Sequence, residues 1–200
     1  AATINCAIAT AAGAVRLAGA MDDKRVLITG AGLLGLACAA MCKDAGAMHV
    51  VIADIDAVRL QQSLSFGADS TIDLRDIEGV ISSNLYTNMD MAFDMSGAPD
   101  AMEFGIDTLG IGGVGVWIGA VFRTRKIELD AEKVIRNILT IKGLHNYNFE
   151  DFKMALDFMA RNWNIYPFES IIEKEFPLSH ANEAFEYALA HKPIRVGVRI

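Results

Sequence analysis

The sequence predicts an α/β protein with a doubly wound parallel sheet. The first observation behind this prediction is an alternation of apolar strand patterns with helix patterns from residue 25 to residue 142. Such alternation is typical of parallel sheets that carry helices on both faces. The second observation is a glycine turn, Gly30-Ala-Gly32, directly after the first of these strands. The right-handed crossovers of such a fold place ligands at the carboxyl ends of the strands.

Each element follows from a local pattern. Short apolar runs predict strands, and amphipathic or alanine-rich runs predict helices. The predicted strands cover residues 25–29, 49–54, 70–73, 89–94, 113–119, 127–129, 138–142 and 195–200. The predicted helices cover residues 4–20, 33–46, 56–66, 75–85, 99–109, 149–160 and 179–190, and residues 166–176 are expected to be irregular to extended. The alternation stops after Gly143, so the C-terminal segment does not continue the sheet.

The segment Val26-Leu-Ile-Thr-Gly-Ala-Gly-Leu-Leu-Gly35 has the spacing Gly-x-Gly-x-x-Gly between a strand and a helix. In Rossmann folds the first glycine permits the tight turn, the second lets a pyrophosphate approach the backbone, and the third lets the helix pack closely on the sheet. The helix N-terminus offers N–H groups and a positive dipole end to the phosphates. The predicted dinucleotide contacts are Gly30, Gly32, Leu33, Leu34 and Gly35. The alternative is a glycine turn that binds no nucleotide.

Asp54 lies at the end of the second predicted strand, nineteen residues after Gly35. An acid in this position accepts hydrogen bonds from the adenosine ribose hydroxyls and repels a 2′-phosphate, so NAD(H) is favoured over NADP(H). Ile55 follows where an NADP-binding protein more often has a small polar or basic residue. Arg59 could reach the ribose edge. The alternatives are a solvated acid and a surface arginine.

Composition excludes several classes of partner. A formal net charge of −7 argues against nucleic acid or an anionic membrane surface. Cys6, Cys38 and Cys42 form no disulfide framework, which fits a reducing cytoplasm. Residues 26–42 carry no charge, but their glycine spacing favours a buried strand and helix over a membrane span. The chain begins with Ala1 rather than Met, which suggests a fragment or a processed product, and it has no basic segment typical of a signal peptide.

The order and spacing of several segments resemble the cofactor half of a medium-chain dehydrogenase/reductase of the zinc alcohol dehydrogenase type. The segments are AATINCAIATAAGAV, VLITGAGLLG, VVIADIDAVRLQQSLSFGAD, AFDMSGAPDAM, GVGVWIGA, ILTIKGLHN and FPLSHANEAFE. Together they cover nearly the whole chain and are much more specific than the glycine spacing alone. The segments NCAIAT and GLHNYNFEDFKMALDFMA resemble more narrowly a bacterial branch associated with phosphonate catabolism.

The resemblance gives roles to further residues. It implies that Cys6 is a ligand of the catalytic zinc, whereas spacing alone favours a buried helical cysteine. It places Thr10 beside the nicotinamide. It also implies that loops holding the nicotinamide ribose and carboxamide contain Ser96, Gly97, Ile118, Gly119 and Leu144. Cys38 and Cys42 are expected to be small core residues.

The sequence also departs from the family. The catalytic domain, with its Gly-His-Glu segment and proton relay, has no counterpart in these 200 residues. A catalytic zinc needs about three protein ligands, and one thiolate cannot hold it. The resemblance implies that residues 1–12 are a remnant of the catalytic domain and that residues 13–148 form the NAD-binding domain. Residues 149–200 would pack on the missing domain, so the final strand should lack its usual partners.

The sequence therefore predicts the NAD-binding portion of a zinc-dependent alcohol or polyol dehydrogenase, without catalytic residues of its own and inactive when isolated. The intact enzyme would move a hydride between an alcohol or carbonyl substrate and NAD. The alternatives are a zinc-free medium-chain reductase and a stand-alone nucleotide-sensing domain. The resemblance also implies a cytoplasmic homodimer, paired through an edge strand at 138–142.

Overall fold

The computed structural model describes residues 3–83 and 86–200. It contains two compact units, Ala1–Arg161 and Asn162–Ile200, which are described separately. The two units are defined by their compactness and not by function. The sequence-based assignment of residues 13–148 to cofactor binding and of residues 1–12 and 149–200 to a missing domain remains a prediction.

Six of the described strands form one parallel sheet in the first unit. They are β1 (Arg25–Thr29), β2 (His49–Asp54), β3 (Ser70–Asp73), β4 (Met89–Asp94), β5 (Leu109–Trp117) and β6 (Thr140–Gly143). Their spatial order is β3-β2-β1-β4-β5-β6. This order confirms the predicted doubly wound fold. The order reverses between β1 and β4, and ligands of such sheets bind outside the carboxyl ends of the strands at that reversal.

The helices connect the strands, and some of them begin at capping side chains. The first unit contains α1 (Ala9–Ala18), α2 (Leu33–Asp44), α3 (Ala57–Ser63), α4 (Ile77–Ser83), α5 (Pro99–Thr108), α6 (Ala131–Arg136) and α7 (Phe149–Asn162), whose last residue opens the second unit. The Asp56 carboxylate caps α3 by accepting from the N–H groups of Val58 and Arg59. Pro99 occupies the first turn of α5. The predicted helix 75–85 ends on two residues outside the described part of the chain.

Two predicted elements differ in the structure. Residues 127–129 are not a strand: Glu128 N–H donates to the Glu103 carboxylate at 2.6 Å, and no sheet ladder forms there. The chain then enters α6, which sequence patterns missed and which the Asp130 side chain caps. The predicted helix 4–20 is regular only from Ala9, because Asn5 and Cys6 have non-helical backbone angles, with φ of 69° at Cys6.

The uncharged run 26–42 is explained by burial on both sides of the sheet. Val26, Leu27 and Ile28 of β1 are fully buried, as are Cys38 and Cys42 of α2, which confirms the expected core role of these cysteines. A parallel strand covered on both faces needs a continuous apolar sequence. Across the described part of the chain, no helix combines the length and the apolar character that a membrane crossing requires.

The second unit is a small α/β arrangement. Strand β7 (Ile172–Pro177) pairs in parallel with β8 (Arg195–Arg199), and α8 (Ala181–His191) connects them. Within this unit Lys174 Nζ lies 4.5 Å from the ring centroid of Tyr187, a cation–π distance. The final strand therefore has β7 as its partner within the chain.

Candidate functional site

A cleft of about 330 Å³ opens at the carboxyl ends of β1, β2 and β4, where the strand order reverses. Six of the residues predicted to bind a dinucleotide lie in its wall: Gly30, Gly32, Asp54, Ile55, Arg59 and Ser96. They come from three separate loops of the chain. The topology of the sheet is what brings them together, since β1 lies between β2 and β4.

The glycine turn is held tightly at two of its three glycines. Gly30 has φ of 99°, and a Cβ there would lie 2.9 Å from Ser96 N. A Cβ at Gly35 would collide with the carbonyl oxygen of Gly30. The N–H of Gly30 donates to Ala53 O at 2.7 Å, which joins the turn to β2. Both glycines are therefore required by the protein's own packing.

Gly32 is different from its neighbours. Its backbone is extended, with φ of −78° and ψ of −174°, a conformation open to any residue. A Cβ at Gly32 would meet no protein atom within 4 Å. Gly32 also precedes α2 without a side chain to cap it, so the N–H groups at Leu33 and Leu34 face the turn uncapped by side chains. The absence of a side chain at Gly32 therefore leaves room for a group from outside the chain.

Asp54 ties the glycine turn to the end of β2. Its Oδ2 accepts from Ala31 N–H at 2.6 Å, and its Oδ1 accepts from Asp56 N–H at 2.9 Å. The side chain is half-buried, and Ile55 beside it is 65% exposed. Arg59 lies with its Nε 3.9 Å from the Asp56 carboxylate. The predicted adenosine-side residues are thus adjacent, and Asp54 is held in place by two backbone donors.

Asp94 lies at the end of β4, at the edge of the sheet where ligands bind, and sequence patterns do not identify its side chain as functional. The residue is 4% exposed. Its Oδ1 accepts from Ser96 Oγ at 2.8 Å, Ser96 N–H at 3.1 Å and Gly97 N–H at 3.0 Å. It also accepts from the Thr29 hydroxyl at 3.2 Å. The only sequence signal for this role is an acid at the last position of a strand, two residues before Ser96-Gly97.

The predicted Ser96 and Gly119 loops pack directly on one another. Gly97 has φ of 74°, and a Cβ on either Gly97 or Gly119 would collide with the backbone of the other loop. The N–H groups of Ile118 and Gly119 donate to Asp94 O at 3.0 and 3.1 Å. The structure therefore unites Ser96, Gly97, Ile118 and Gly119 around the end of β4.

Two further predicted residues lie away from the cleft wall. Thr10 is buried within α1, at 5% exposure. The Leu144 N–H donates to Trp117 O at 3.0 Å and so extends the pairing of β5 with β6. The Leu144 side chain approaches Gly13, one helical turn after Thr10, where an added Cβ would lie 3.1 Å from a Leu144 methyl. Leu144 therefore packs against α1, the helix that carries Thr10.

The residues present do not complete a zinc site. Cys6 is an exposed free thiol on the irregular turn before α1. Within residues 3–83 and 86–200, no group of three or more His, Cys, Asp or Glu side chains could hold a metal ion. A catalytic zinc requires about three protein ligands. The ligand role of Cys6 remains a prediction that depends on residues beyond this chain.

Comparison with known proteins gives the family. Residues 34–161 match the model of the family described as zinc-binding dehydrogenase. The chain is 31% identical over 165 residues to L-threonine 3-dehydrogenase of Shewanella sediminis, an alignment covering 80% of this chain and 47% of that enzyme. The chain spans about half the length of the curated relatives it matches.

Solved structures share the fold at lower identity. An alcohol dehydrogenase from Thermotoga maritima superposes with a TM-score of 0.87 at 23% identity, over 96% of this chain and 55% of that one. An Escherichia coli CFT073 alcohol dehydrogenase complexed with NADH has a TM-score of 0.84 at 19% identity, over 98% and 57%. A Sinorhizobium meliloti zinc-binding dehydrogenase bound to NADP has a TM-score of 0.81 at 19% identity, over 92% and 54%. With the family match, these findings show that the chain belongs to the zinc-binding dehydrogenase family and is its cofactor-binding portion.

Proposed function

We propose that this chain binds NAD(H) in the cleft at the ends of β1, β2 and β4. Within a longer protein it would orient the nicotinamide for hydride transfer to or from an alcohol or polyol, or the matching carbonyl compound. The observation that carries the proposal is Gly32: it has extended backbone and open space around its missing side chain. Neither packing nor conformation requires glycine there, whereas a pyrophosphate approaching the backbone does.

The residues present fit a dinucleotide. The start of α2, from Leu33 to Gly35, receives the pyrophosphate through its N–H groups. Asp54 accepts from the adenosine ribose, and the Ser96–Gly97 and Ile118–Gly119 loops lie on the other side of β1, where the nicotinamide half extends. The bound cofactor supplies hydride chemistry, while the chain supplies position and charge.

Asp54 is the basis for proposing NAD(H) rather than NADP(H). One structural neighbour holds NADH and another holds NADP, so the neighbours alone do not decide the choice. The Asp54 carboxylate is anchored by Ala31 and Asp56 N–H donors, so it is fixed where a 2′-phosphate would sit. Repulsion between this carboxylate and the phosphate favours the unphosphorylated cofactor.

Calorimetric titration of the chain with NADH and NADPH tests this proposal. We expect tighter binding of NADH, and in Asp54→Ala a loss of about tenfold or more, since a hydrogen bond to a charged group contributes about 1.5–3 kcal/mol. Asp157→Ala, which removes an exposed acid of α7, is the matched control and should leave both affinities unchanged. Equal NADH affinity in wild type and Asp54→Ala would contradict the proposal.

We propose zinc binding only for a longer protein that contains this chain. We propose that Cys6 contributes one ligand there and that residues 1–12 and 149–200 contact the catalytic domain. Metal analysis of the longer protein separates this from a zinc-free reductase: one zinc lost on Cys6→Ser supports the ligand role. A wild type without zinc favours the zinc-free alternative, and a zinc content that Cys6→Ser leaves unchanged contradicts the ligand role of Cys6.

The isolated chain is expected to bind NAD(H) weakly and to catalyse nothing. A stand-alone nucleotide-sensing domain would instead show micromolar affinity and have a dedicated partner. Zinc-dependent alcohol oxidation by this chain alone would contradict our expectation. We further propose a cytoplasmic protein that forms homodimers through the edge of β6, since an unpaired strand edge accepts another strand.

A further inference from the structure

The Asp94 side chain accepts four hydrogen bonds at the end of β4. Its carboxylate accepts from the Ser96 hydroxyl, from two backbone N–H groups of the following loop, and from Thr29 on β1. Both Asp94 and Thr29 are almost fully buried, at 4% and 1% exposure. Burying a carboxylate costs free energy unless hydrogen-bond donors surround it. Three of the four donors to Asp94 come from Ser96 and Gly97, so these hydrogen bonds hold the Ser96–Gly97 loop in place.

The network also determines how the Ser96 hydroxyl can act toward a ligand. A hydroxyl has one proton and two lone pairs. The Ser96 proton is directed at the Asp94 carboxylate, 2.8 Å away, because a carboxylate only accepts. One lone pair accepts from Ala98 N–H at 3.1 Å. The hydroxyl therefore has one lone pair left, and toward the cleft it can only accept.

The position of the Ser96–Gly97 loop indicates which half of the cofactor it would contact. Asp54 follows β2 and Ser96 follows β4, on opposite sides of β1. In this topology the acid after the second strand holds the adenosine ribose and the pyrophosphate lies over the start of the first helix. The remaining half of the dinucleotide extends over the end of β4. The cleft wall that includes Ser96 is the surface it meets.

We infer that Asp94 is a positioning residue for the nicotinamide half of the dinucleotide. It fixes the Ser96–Gly97 loop and holds the Ser96 hydroxyl as a hydrogen-bond acceptor. The loop therefore takes a donor group, a ribose hydroxyl or the carboxamide NH₂, and disfavours a phosphate. This inference rests on the proposed function and extends it to a residue that does not itself touch the cofactor.

Paired titrations of the full chain with NADH and with AMP test the inference. AMP carries only the adenosine half, so its binding reports on the fold and on the Asp54 side. In Asp94→Asn we expect about a tenfold loss of NADH affinity and less than a twofold change for AMP. Asp90→Asn is the matched control, because Asp90 lies at the other end of β4 and accepts from Arg25 N–H at 2.8 Å. It should leave both affinities unchanged.

Each outcome decides the question. Parallel loss of NADH and AMP binding in Asp94→Asn indicates a merely structural role and overturns the inference, as does no change in either. Should Asp94→Asn fail to fold, Ser96→Ala decides by the same criterion, since Ser96 is exposed and its removal spares the core. A wild-type chain that binds AMP but not NADH also overturns the inference. Binding of neither ligand overturns the proposed function, and the inference falls with it.

Discussion

Arg16 on α1 and Asp151 on α7 form an ion pair across 135 residues of sequence, with Arg16 Nε 2.6 Å from Asp151 Oδ1. The Asp151 side chain is 1% exposed, while that of Arg16 is 43% exposed. Asp151 also accepts from Asn148 N–H at 3.0 Å, and its own N–H donates to Asn148 Oδ1 at 2.9 Å. This reciprocal pair is a capping box at the start of α7. The Asp151 carboxylate thus caps the start of α7 and also binds Arg16 of α1.

Replacing Asp151 should destabilise the first unit. Asp151→Ala removes the hydrogen bond from Asn148 N–H in the capping box and leaves Arg16 without its partner, and we expect a loss of about 2–3 kcal/mol in the free energy of unfolding. Urea denaturation measures the loss. Asp157→Ala, on the exposed side of the same helix, should change stability by less than about 0.5 kcal/mol. Equal stability of the two variants would show that the ion pair contributes nothing.

The same carboxylate should make stability depend on pH. Burial acts to raise the pKa of Asp151, but the hydrogen bonds from Arg16 and from Asn148 N–H outweigh it, and the pKa lies below its ordinary value. An Asp in the unfolded chain titrates near pH ~3.9. The stabilisation is therefore fully present above that pH and is lost as the pH falls through the lower folded pKa.

The measurement is the difference in Tm between wild type and Asp151→Asn across the pH range. We expect a constant difference from pH ~7 to pH ~5 that shrinks below pH ~4, because Asn carries no proton that titrates there. A difference that stays constant into acid would show that packing, rather than charge, holds the two helices together.

Sequence patterns predicted the parts of the site that depend on local spacing. Gly30, Gly32 and Asp54 were identified because strand, turn and helix follow one another within thirty residues, and the sheet order then places them in one cleft. The hydrogen-bond partners of Asp94 were not predictable, since a single acid at a strand end does not reveal what surrounds it. The Arg16–Asp151 pair was not predictable either, because 135 residues separate its members.

The proposed dimer predicts an effect of charge near the exposed edge of β6. Ile111 and Ile138 are 81% and 71% exposed. Gly112 N–H donates to Asn137 O at 2.7 Å, so the segment that contains Ile111 lies beside the segment that leads into β6. An aspartate at Ile111 would leave a charge buried in an edge-to-edge interface. Ile111→Asp should therefore convert a dimer into a monomer in light scattering. Val58→Asp, at a 76% exposed position on α3, should not. A monomeric wild type would contradict the dimer.

Substitutions at two glycines of the turn, Gly32 and Gly35, should separate effects on folding from effects on binding. Gly32→Ala places a methyl group in open space on extended backbone, so stability should fall by no more than about 1 kcal/mol, the cost of alanine at a helix N-cap, while NADH affinity falls by about tenfold. Gly35→Ala forces its Cβ into the Gly30 carbonyl and should cost about 2 kcal/mol of stability. Gly105→Ala is the control, because its Cβ would meet Ala92 at an ordinary 3.7 Å. Urea denaturation and NADH titration of the three variants give both quantities. If Gly32→Ala bound NADH as tightly as wild type, the pyrophosphate would not lie in the space beside Gly32. The open space at Gly32 would then no longer support the proposed function.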